Sequence, residues 1–177
     1  MQNNTINKVY LLLGGNMGKR EEVMLHALRK IDRQIGKIVL QSSIYETAAW
    51  GYENQPAFYN CAICLQTEMN ANDVLSKVLD IENQIGRQRS ETQWQERLID
   101  IDILFFNDEI STQAHLKIPH PLLHKRKFAL VPLNEIEKDF VHPILDKTVA
   151  QLLFECDDTL EVKQVLQPSE IQSSILL

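Results

Sequence analysis

The segment from Arg97 to Phe106 constrains the fold more than any other part of the chain. Its sequence, Arg-Leu-Ile-Asp-Ile-Asp-Ile-Leu-Phe-Phe, alternates isoleucine with other residues up to Ile103 and then stays apolar. Alternation with a period of two is typical of a β-strand and not of a helix. Asp100 and Asp102 are therefore expected on one face of this strand, with Cα atoms roughly 6.6 Å apart.

Two carboxylates on an otherwise apolar strand need a counter-charge, because removing them from water is costly. An Asp-x-Asp pair can hold one hard cation, or two cations about 3.5–4 Å apart that clamp a polyphosphate. The alternative is a strand face that points to solvent and carries no ligand. That alternative is the commoner one for an isolated pair, so the neighbouring sequence has to decide.

The loop before this strand is long, polar and rich in arginine. It runs from Arg87 to Arg97 and contains Arg89 and Trp94. A loop of this length is more than a simple connection, and it brings arginines next to the paired aspartates. Phosphoryl-type transfer uses this combination, since arginines neutralise the migrating group and carboxylates hold Mg²⁺. Structural salt bridges between the arginines and the aspartates are the alternative.

Length and charge limit the class of protein. The 177 residues and 44% hydrophobic content predict one domain, over residues 1–166, with a C-terminal tail at 167–177. The net charge of −6 argues against a nonspecific nucleic-acid or membrane surface. No apolar leader is visible at the N-terminus, and no apolar run approaches the roughly 18 residues of a membrane span. We expect a cytoplasmic protein that has no nucleic-acid, membrane or obligate protein partner.

The cysteines do not indicate redox chemistry. Cys61-Ala-Ile-Cys64 has Cys-x-x-Cys spacing, but it lies in an apolar segment that is predicted to be a strand. Positions i and i+3 of a strand face opposite sides, so the two thiols are expected to diverge and to be structural. The histidines show no spacing typical of metal ligands on a helix.

The rest of the chain alternates between strand and helix patterns. Strands are predicted over 8–13, 37–46, 58–67, 109–118 and 160–166, and helices over 19–35, 71–85, 122–126 and 148–154. Asn70 is the expected N-cap of the helix over 71–85, and Gly86 its end.

Two connections are candidates for ligand contacts. Gly14-Gly15-Asn16 follows the first strand, but it matches neither nucleotide-binding glycine fingerprint, so a tight turn explains it better. The connection from Thr47 to Pro56 displays Trp50 and Tyr52. These aromatics either form a ligand wall or pack back on the core.

Six motifs occur in a characteristic order along the chain: Gly14-Gly15-Asn16, Ser43-Ile-Tyr-Glu-Thr47, Gln55-Pro-x-Phe-Tyr-Asn60, Glu82-x-x-x-Gly86-Arg87, Arg97-x-x-Asp-Ile-Asp-Ile-Leu104 and Pro119-His120. In this order and spacing they resemble the 6-hydroxymethyl-7,8-dihydropterin pyrophosphokinases of folate biosynthesis. The resemblance implies an α+β fold, a ferredoxin-like three-layer α/β/α sandwich with a central, mainly antiparallel sheet. It also implies an ATP- and Mg²⁺-dependent transfer of pyrophosphate to the pterin hydroxymethyl group, with release of AMP.

The resemblance further implies roles for individual residues. Two Mg²⁺ ions would be held by Asp100 and Asp102, and the catalytic set would be Arg87, Arg97, Asp100 and Asp102. The nucleotide would be bound by Glu82, Arg89, Ile103, His115, Lys117, His120 and Arg126. The reduced pterin would contact Thr47, Ala48, Trp50, Phe58, Asn60, Trp94 and Phe128.

The chain differs from the family pattern in a few places. Gln93-Trp-Gln95-Glu96 stands where the family has a basic residue and small residues, so the arginine loop is less basic than usual. Gly15 replaces a common serine, Phe58 a common tyrosine, and Pro121 an aromatic residue. None of these positions is a predicted metal ligand, so activity is expected.

Two other functions fit parts of the sequence. A noncatalytic ferredoxin-like module that binds RNA would need strand aromatics amid basic charge, which the central strand and the net charge of −6 do not offer. Another two-metal enzyme, such as a nucleotidyltransferase, would share the paired aspartates. It would not require Phe58, Asn60 and Phe128 together.

Overall fold

The computed structural model describes residues 5–48, 56–86 and 98–175, with side chains up to residue 171. In chain order its elements are β1 (Asn7–Gly15), α1 (Arg20–Gln34), β2 (Lys37–Gln41), β3 (Ile44–Thr47), β4 (Phe58–Thr67), α2 (Ala71–Ile85), β5 (Asp100–Phe106), β6 (Ser111–Gln113), β7 (Leu116–Ile118), a short 3-10 helix (Leu123–Lys125), α3 (Lys127–Glu137), α4 (Val149–Phe154), β8 (Val162–Leu166) and α5 (Pro168–Ile175).

The main sheet has six strands in the order β5-β1-β4-β3-β8, with β2 paired to β4 beside this path. All of its described pairings are antiparallel. β6 and β7 form a separate two-stranded hairpin that contacts β5. The expected antiparallel sheet is therefore confirmed.

Helices cover both faces of this sheet. On one face, alternate β1 residues such as Leu11 and Leu13 pack with residues of α1 and α2. On the other face, Leu12 of β1 and Ala62 of β4 pack with α3 and α4. This division into two cores confirms the α+β, ferredoxin-like three-layer sandwich.

Several local predictions hold in detail. α2 has the predicted bounds, its N-cap Asn70 accepts a hydrogen bond from the Asp73 N–H, and Gly86 ends it at φ 108°. Cys61 and Cys64 are free thiols that pack in the two different cores, as the strand geometry predicts. Burial raises the pKa of Cys61 to about 12 and that of Cys64 to about 11, so both stay protonated near neutral pH.

The single strand predicted over 37–46 is wrong at its centre, where the structure breaks it into β2 and β3. The break lies at Ser42 and Ser43, where side-chain oxygens accept backbone N–H groups. Ser42 Oγ accepts the Ala62 N–H at 2.9 Å. The N–H of Ser43 donates to Glu135 of α3 instead of to a strand. Serine hydroxyls compete with the backbone in this way, which the alternation of apolar residues does not reveal.

The C-terminal segment is more ordered than its sequence pattern predicts. Residues 168–175 form α5 where a tail without clear period was expected. Ile171 is only 2% exposed and joins the core on the α1 and α2 face. One buried residue is too few to produce a recognisable helical period in the sequence. Among the described residues, no helix is both long and apolar enough to cross a membrane.

Candidate active site

The paired aspartates lie on β5, at the edge of the sheet in the part of the chain that the structure describes. In the ladder with β1, Asp100 is opposite Gly14 and Asp102 is opposite Leu12. Residues that are directly opposite share a face, and Leu12 packs on the α3 side. Both carboxylates therefore share one face, as predicted, and it is the face that α3 covers.

Glu82 of α2 holds this strand in place. Its Oε1 accepts the Ile101 N–H at 2.8 Å, and the side chain is only 1% exposed. Ile101 lies between the two aspartates, so this bond fixes the backbone that carries them. In this structure Glu82 supports the strand from the core, and its predicted contact with nucleotide stays a prediction.

A β-bulge brings His120 to the aspartates. Leu11 is opposite Ile103 and Tyr10 is opposite Phe105, which leaves Leu104 as the extra residue. The Leu104 carbonyl accepts the His120 N–H at 3.0 Å. His120 Nε2 then lies 4.0 Å from Asp102 Oδ2.

The His120 side chain is neutral at physiological pH. Burial, together with the nearby Arg126 guanidinium, lowers the pKa of His120 to about 4. Its Nδ1 accepts the Leu122 N–H, so the proton of the neutral ring is on Nε2. His120 thus directs a hydrogen-bond donor toward Asp102.

The start of α3 supplies a cation from its N-cap residue and an aromatic ring from its first turn. Arg126 precedes the helix and its Cζ lies 5.7 Å from the centre of the Phe128 ring. At the other end of α3, Glu137 accepts a hydrogen bond from Tyr10 near the start of β1. Since α3 ends over Tyr10, it begins toward the far end of β1, where Gly14 and the aspartates lie.

A row of polar residues crosses the sheet beside Asp100. Gly14 is opposite Asp100 on one side and Asn60 on the other, so all three share a face. Asn60 is 3% exposed, and its Nδ2 donates to Thr47 Oγ1 at 2.9 Å. A Cβ added to Gly14 would lie 3.1 Å from Asn60 Oδ1. Gly14 lies within β1 and not in the predicted turn, and its lack of a side chain allows this close approach to Asn60.

The start of β4 is held by residues that the sequence did not single out as binding groups. Asn16 Nδ2 donates to the Pro56 carbonyl at 3.2 Å. Arg20 donates to the Ala57 carbonyl at 2.7 Å and to Glu46 at 2.9 Å. These contacts join residues 26 to 40 positions apart, so short-range spacing could not find them.

The remaining predicted residues differ in where they lie and in how exposed they are. Ala48 is exposed beyond β3, and Phe58 is half-buried at the start of β4. His115 and Lys117 are exposed on the β6–β7 hairpin, whereas the Ile103 side chain packs in the core on the opposite face from the aspartates. An Ile103 contact with nucleotide would therefore use its backbone. The predicted residues Trp50, Arg87, Arg89, Trp94 and Arg97 lie outside the described residues.

Paired carboxylates beside an imidazole, with a guanidinium next to that imidazole, are an arrangement that enzymes that transfer phosphorus groups use. The sequence comparisons define the family within this class. The model of the 7,8-dihydro-6-hydroxymethylpterin-pyrophosphokinase family matches residues 10–138, and the chain belongs to that family. Its function is pyrophosphoryl transfer to hydroxymethyldihydropterin in folate synthesis.

Individual relatives agree with this assignment. The chain is 40% identical to a 2-amino-4-hydroxy-6-hydroxymethyldihydropteridine pyrophosphokinase of Aquifex aeolicus, over 86% of this chain and 93% of that protein. It is also 40% identical to the Bacillus subtilis protein of the same name, over 73% of this chain and 78% of that protein.

A solved structure supports the fold. A Plasmodium falciparum HPPK-DHPS chain crystallised with pteroate superposes with a TM-score of 0.72 at 18% identity, over 85% of this chain and 44% of that one. This chain therefore spans less than half the length of that structure.

Proposed function

We propose that the chain takes the pyrophosphoryl group from ATP in a Mg²⁺-dependent reaction that releases AMP. The cleft lies between the ends of β4 and β5 and the first turn of α3. The observation that carries the proposal is that Asp100, Asn60 and Phe58 share the sheet face toward which α3 brings Arg126 and Phe128. One cleft thus offers acidic, basic and aromatic groups to a phosphate chain and a planar ring.

The donor set fits Mg²⁺. Asp100 and Asp102 offer hard oxygen ligands on one face, and His120 directs a hydrogen rather than a lone pair toward them. Among the described residues, no group of three or more histidine, cysteine or acidic side chains could enclose a metal. Mg²⁺ commonly uses one or two carboxylates and completes its shell with water and substrate phosphates. We propose that Asp100 and Asp102 would hold two such ions together with ATP, and that the ions would neutralise phosphate charge and lower the pKa of the attacking hydroxyl.

The basic residues act on the phosphates. Arg126 approaches the cleft from the start of α3, and His120 donates from Nε2 without adding charge. Arg87 and Arg97 at the two ends of the loop would neutralise the group in transfer, with Arg89 as an additional phosphate contact. Release of AMP requires attack on the β-phosphorus, so the donors must hold the α- and β-phosphates in line with the pterin hydroxyl.

The pterin would bind at the part of the cleft that Phe58 and Phe128 line. Phe58 and Phe128 are half-buried aromatics on the sheet and on the facing helix turn. Stacking between two rings fixes the plane of a heterocycle. The Asn60 amide, which its bond to Thr47 orients, then reads the polar edge of the ring.

The product distribution tests the proposed chemistry. Incubation with ATP, Mg²⁺ and 6-hydroxymethyl-7,8-dihydropterin is expected to give AMP in a one-to-one ratio to pyrophosphorylated pterin. Chelation of the metal should stop the reaction, and added Mg²⁺ should restore it. Formation of ADP, or of AMP without pterin, would contradict the proposal.

Variants test the metal ligands. Asp100→Ala and Asp102→Ala are each expected to lower kcat by about a thousandfold or more while pterin binding is largely kept. Asp108→Ala is the matched control, because Asp108 is exposed in the turn just after β5. Turnover at the wild-type rate in either cleft variant would refute the metal assignment.

A further inference from the structure

The segment of residues 156–166, here called the C-terminal brace, lies beyond the part of the chain that the family model matches. It contacts both walls of the cleft. On the sheet side, β8 pairs with β3 and places Val162 opposite Thr47. Gln164 also donates to Ser43 Oγ at 3.1 Å. On the helix side, the brace reaches the start of α3 through Asp158.

Asp158 caps α3 from a distance. Its Oδ2 accepts the N–H of Lys127, the first residue of the helix, at 3.0 Å. Its Oδ1 accepts the Leu160 N–H at 3.0 Å, which fixes the carboxylate within the brace. The residue at the N-cap position itself is Arg126, which makes no side-chain cap. The Arg126 guanidinium cannot accept the first N–H groups of α3, and Asp158 supplies an acceptor for the Lys127 N–H from another part of the chain.

The position of this cap matters because of what the first turn carries. Lys127 lies between Arg126, which is the N-cap residue of α3, and Phe128, and both neighbours are assigned to the cleft. Helix ends fray when their first N–H groups have no acceptor, and an acidic group at this end also interacts favourably with the helix dipole. A frayed first turn would move the Phe128 ring relative to Phe58 on the sheet.

We propose that Asp158 is a positioning residue for the pterin site, which it preorganises by capping α3. The proposal rests on the proposed function only in taking Phe128 as a wall of the pterin site. Through β8 and Asp158, the brace fixes the distance between Thr47 on the sheet and Phe128 on the helix. Asp158 does not touch substrate, so it acts through the geometry of these two walls.

The test compares steady-state kinetics of the full-length variants. Asp158→Ala is expected to raise the KM for pterin about tenfold and to change kcat by less than about threefold, because the capped turn forms a binding wall, whereas Asp100 and Asp102 lie on β5 and keep their positions. Asp158→Asn should fall between this variant and the wild type, since its amide oxygen replaces only one of the two carboxylate oxygens that accept the Lys127 and Leu160 N–H groups.

Thr148→Ala is the matched control for lost stability. It removes the capping box of α4, which is also in the C-terminal part of the chain, and it leaves the start of α3 intact. Both alanine variants should lower the Tm, but only Asp158→Ala should raise the KM for pterin. An equal KM in the two variants would overturn the proposal.

Phe128→Ala distinguishes a failure of the Asp158 capping role from a failure of the pterin-site assignment. A raised pterin KM in Phe128→Ala together with a normal one in Asp158→Ala would refute the capping role and leave the pterin site in place. A normal KM in Phe128→Ala would refute both. If Asp158→Ala does not fold, Asp158→Asn alone decides, and a wild-type pterin KM there would count against the proposal.

Discussion

Replacing Glu82 with alanine is the perturbation that most directly tests how the candidate active site is held in place. The Glu82 carboxylate is 1% exposed and accepts the Ile101 N–H at 2.8 Å. Asp100 and Asp102 are the neighbours of Ile101 in sequence. Glu82→Ala should therefore lower both the free energy of unfolding and the activity, although Glu82 lies on the helix behind the strand.

The size of the effect follows from the contacts. Loss of a charge-assisted hydrogen bond to a buried N–H costs about 1.5–3 kcal/mol. Loss of the buried methylene stem of Glu82 adds about 1 kcal/mol. The sum, about 2.5–4 kcal/mol, corresponds to a fall in Tm of roughly 5–15 °C for a chain of this size. A shift of the two aspartates by a fraction of an ångström should lower kcat by about 10- to 100-fold.

Urea unfolding and calorimetry would measure stability, and product formation would measure kcat on the same samples. Asn83→Ala is the control, because Asn83 is the exposed next residue of α2 and should change stability by less than about 0.5 kcal/mol. Glu82→Gln keeps an acceptor at the same position and should recover part of the stability. A loss below about 0.5 kcal/mol in Glu82→Ala, or a full loss without any change in kcat, would refute the argument.

Three shorter predictions use other parts of the molecule. Gly14→Ala should raise the pterin KM about threefold to tenfold, because its Cβ would lie 3.1 Å from Asn60 Oδ1, and unchanged kinetics would contradict this. The thiols of Cys61 and Cys64 should resist alkylation until the protein unfolds, since burial raises the pKa of both, and mass spectrometry can follow this. Burial lowers the pKa of His142, so below about pH 6.5 the unfolded chain binds more protons than the folded chain. The free energy of unfolding should therefore decrease as the pH is lowered through this range. His142→Asn should make this decrease smaller in denaturant titrations.

The parts of the fold that the sequence predicts are those set by local signals. α2 has its predicted bounds because Asn70 caps one end and Gly86 adopts a positive φ at the other. The shared face of Asp100 and Asp102 follows from strand alternation alone. Such features depend on residues within a few positions of each other, so one segment is enough to read them.

The parts that could not be predicted depend on contacts between distant segments. The bond from Glu82 to Ile101 spans 19 positions, and the bond from Asp158 to Lys127 spans 31. A glutamate in an amphipathic helix predicts an exposed side chain, and nothing near Asp158 marks it as a cap. The break between β2 and β3 likewise depends on the hydroxyl of Ser42 and its partner on β4. Pairing of this kind is visible only when the elements have been packed together.

The position of β5 at the sheet edge explains why two long-range contacts lie beside Asp100 and Asp102. A strand that presents carboxylates to a polyphosphate benefits from an open edge, yet an edge strand leaves every second backbone group without a ladder partner. In the described part of the chain, individual hydrogen bonds, and not another strand, satisfy backbone groups on the outer edge of β5. Glu82 accepts the Ile101 N–H, and the His120 N–H donates to the Leu104 carbonyl. The same contacts that satisfy the edge therefore fix Asp100 and Asp102 and bring the His120 ring to Asp102, so stability and catalytic geometry are expected to change together at this strand.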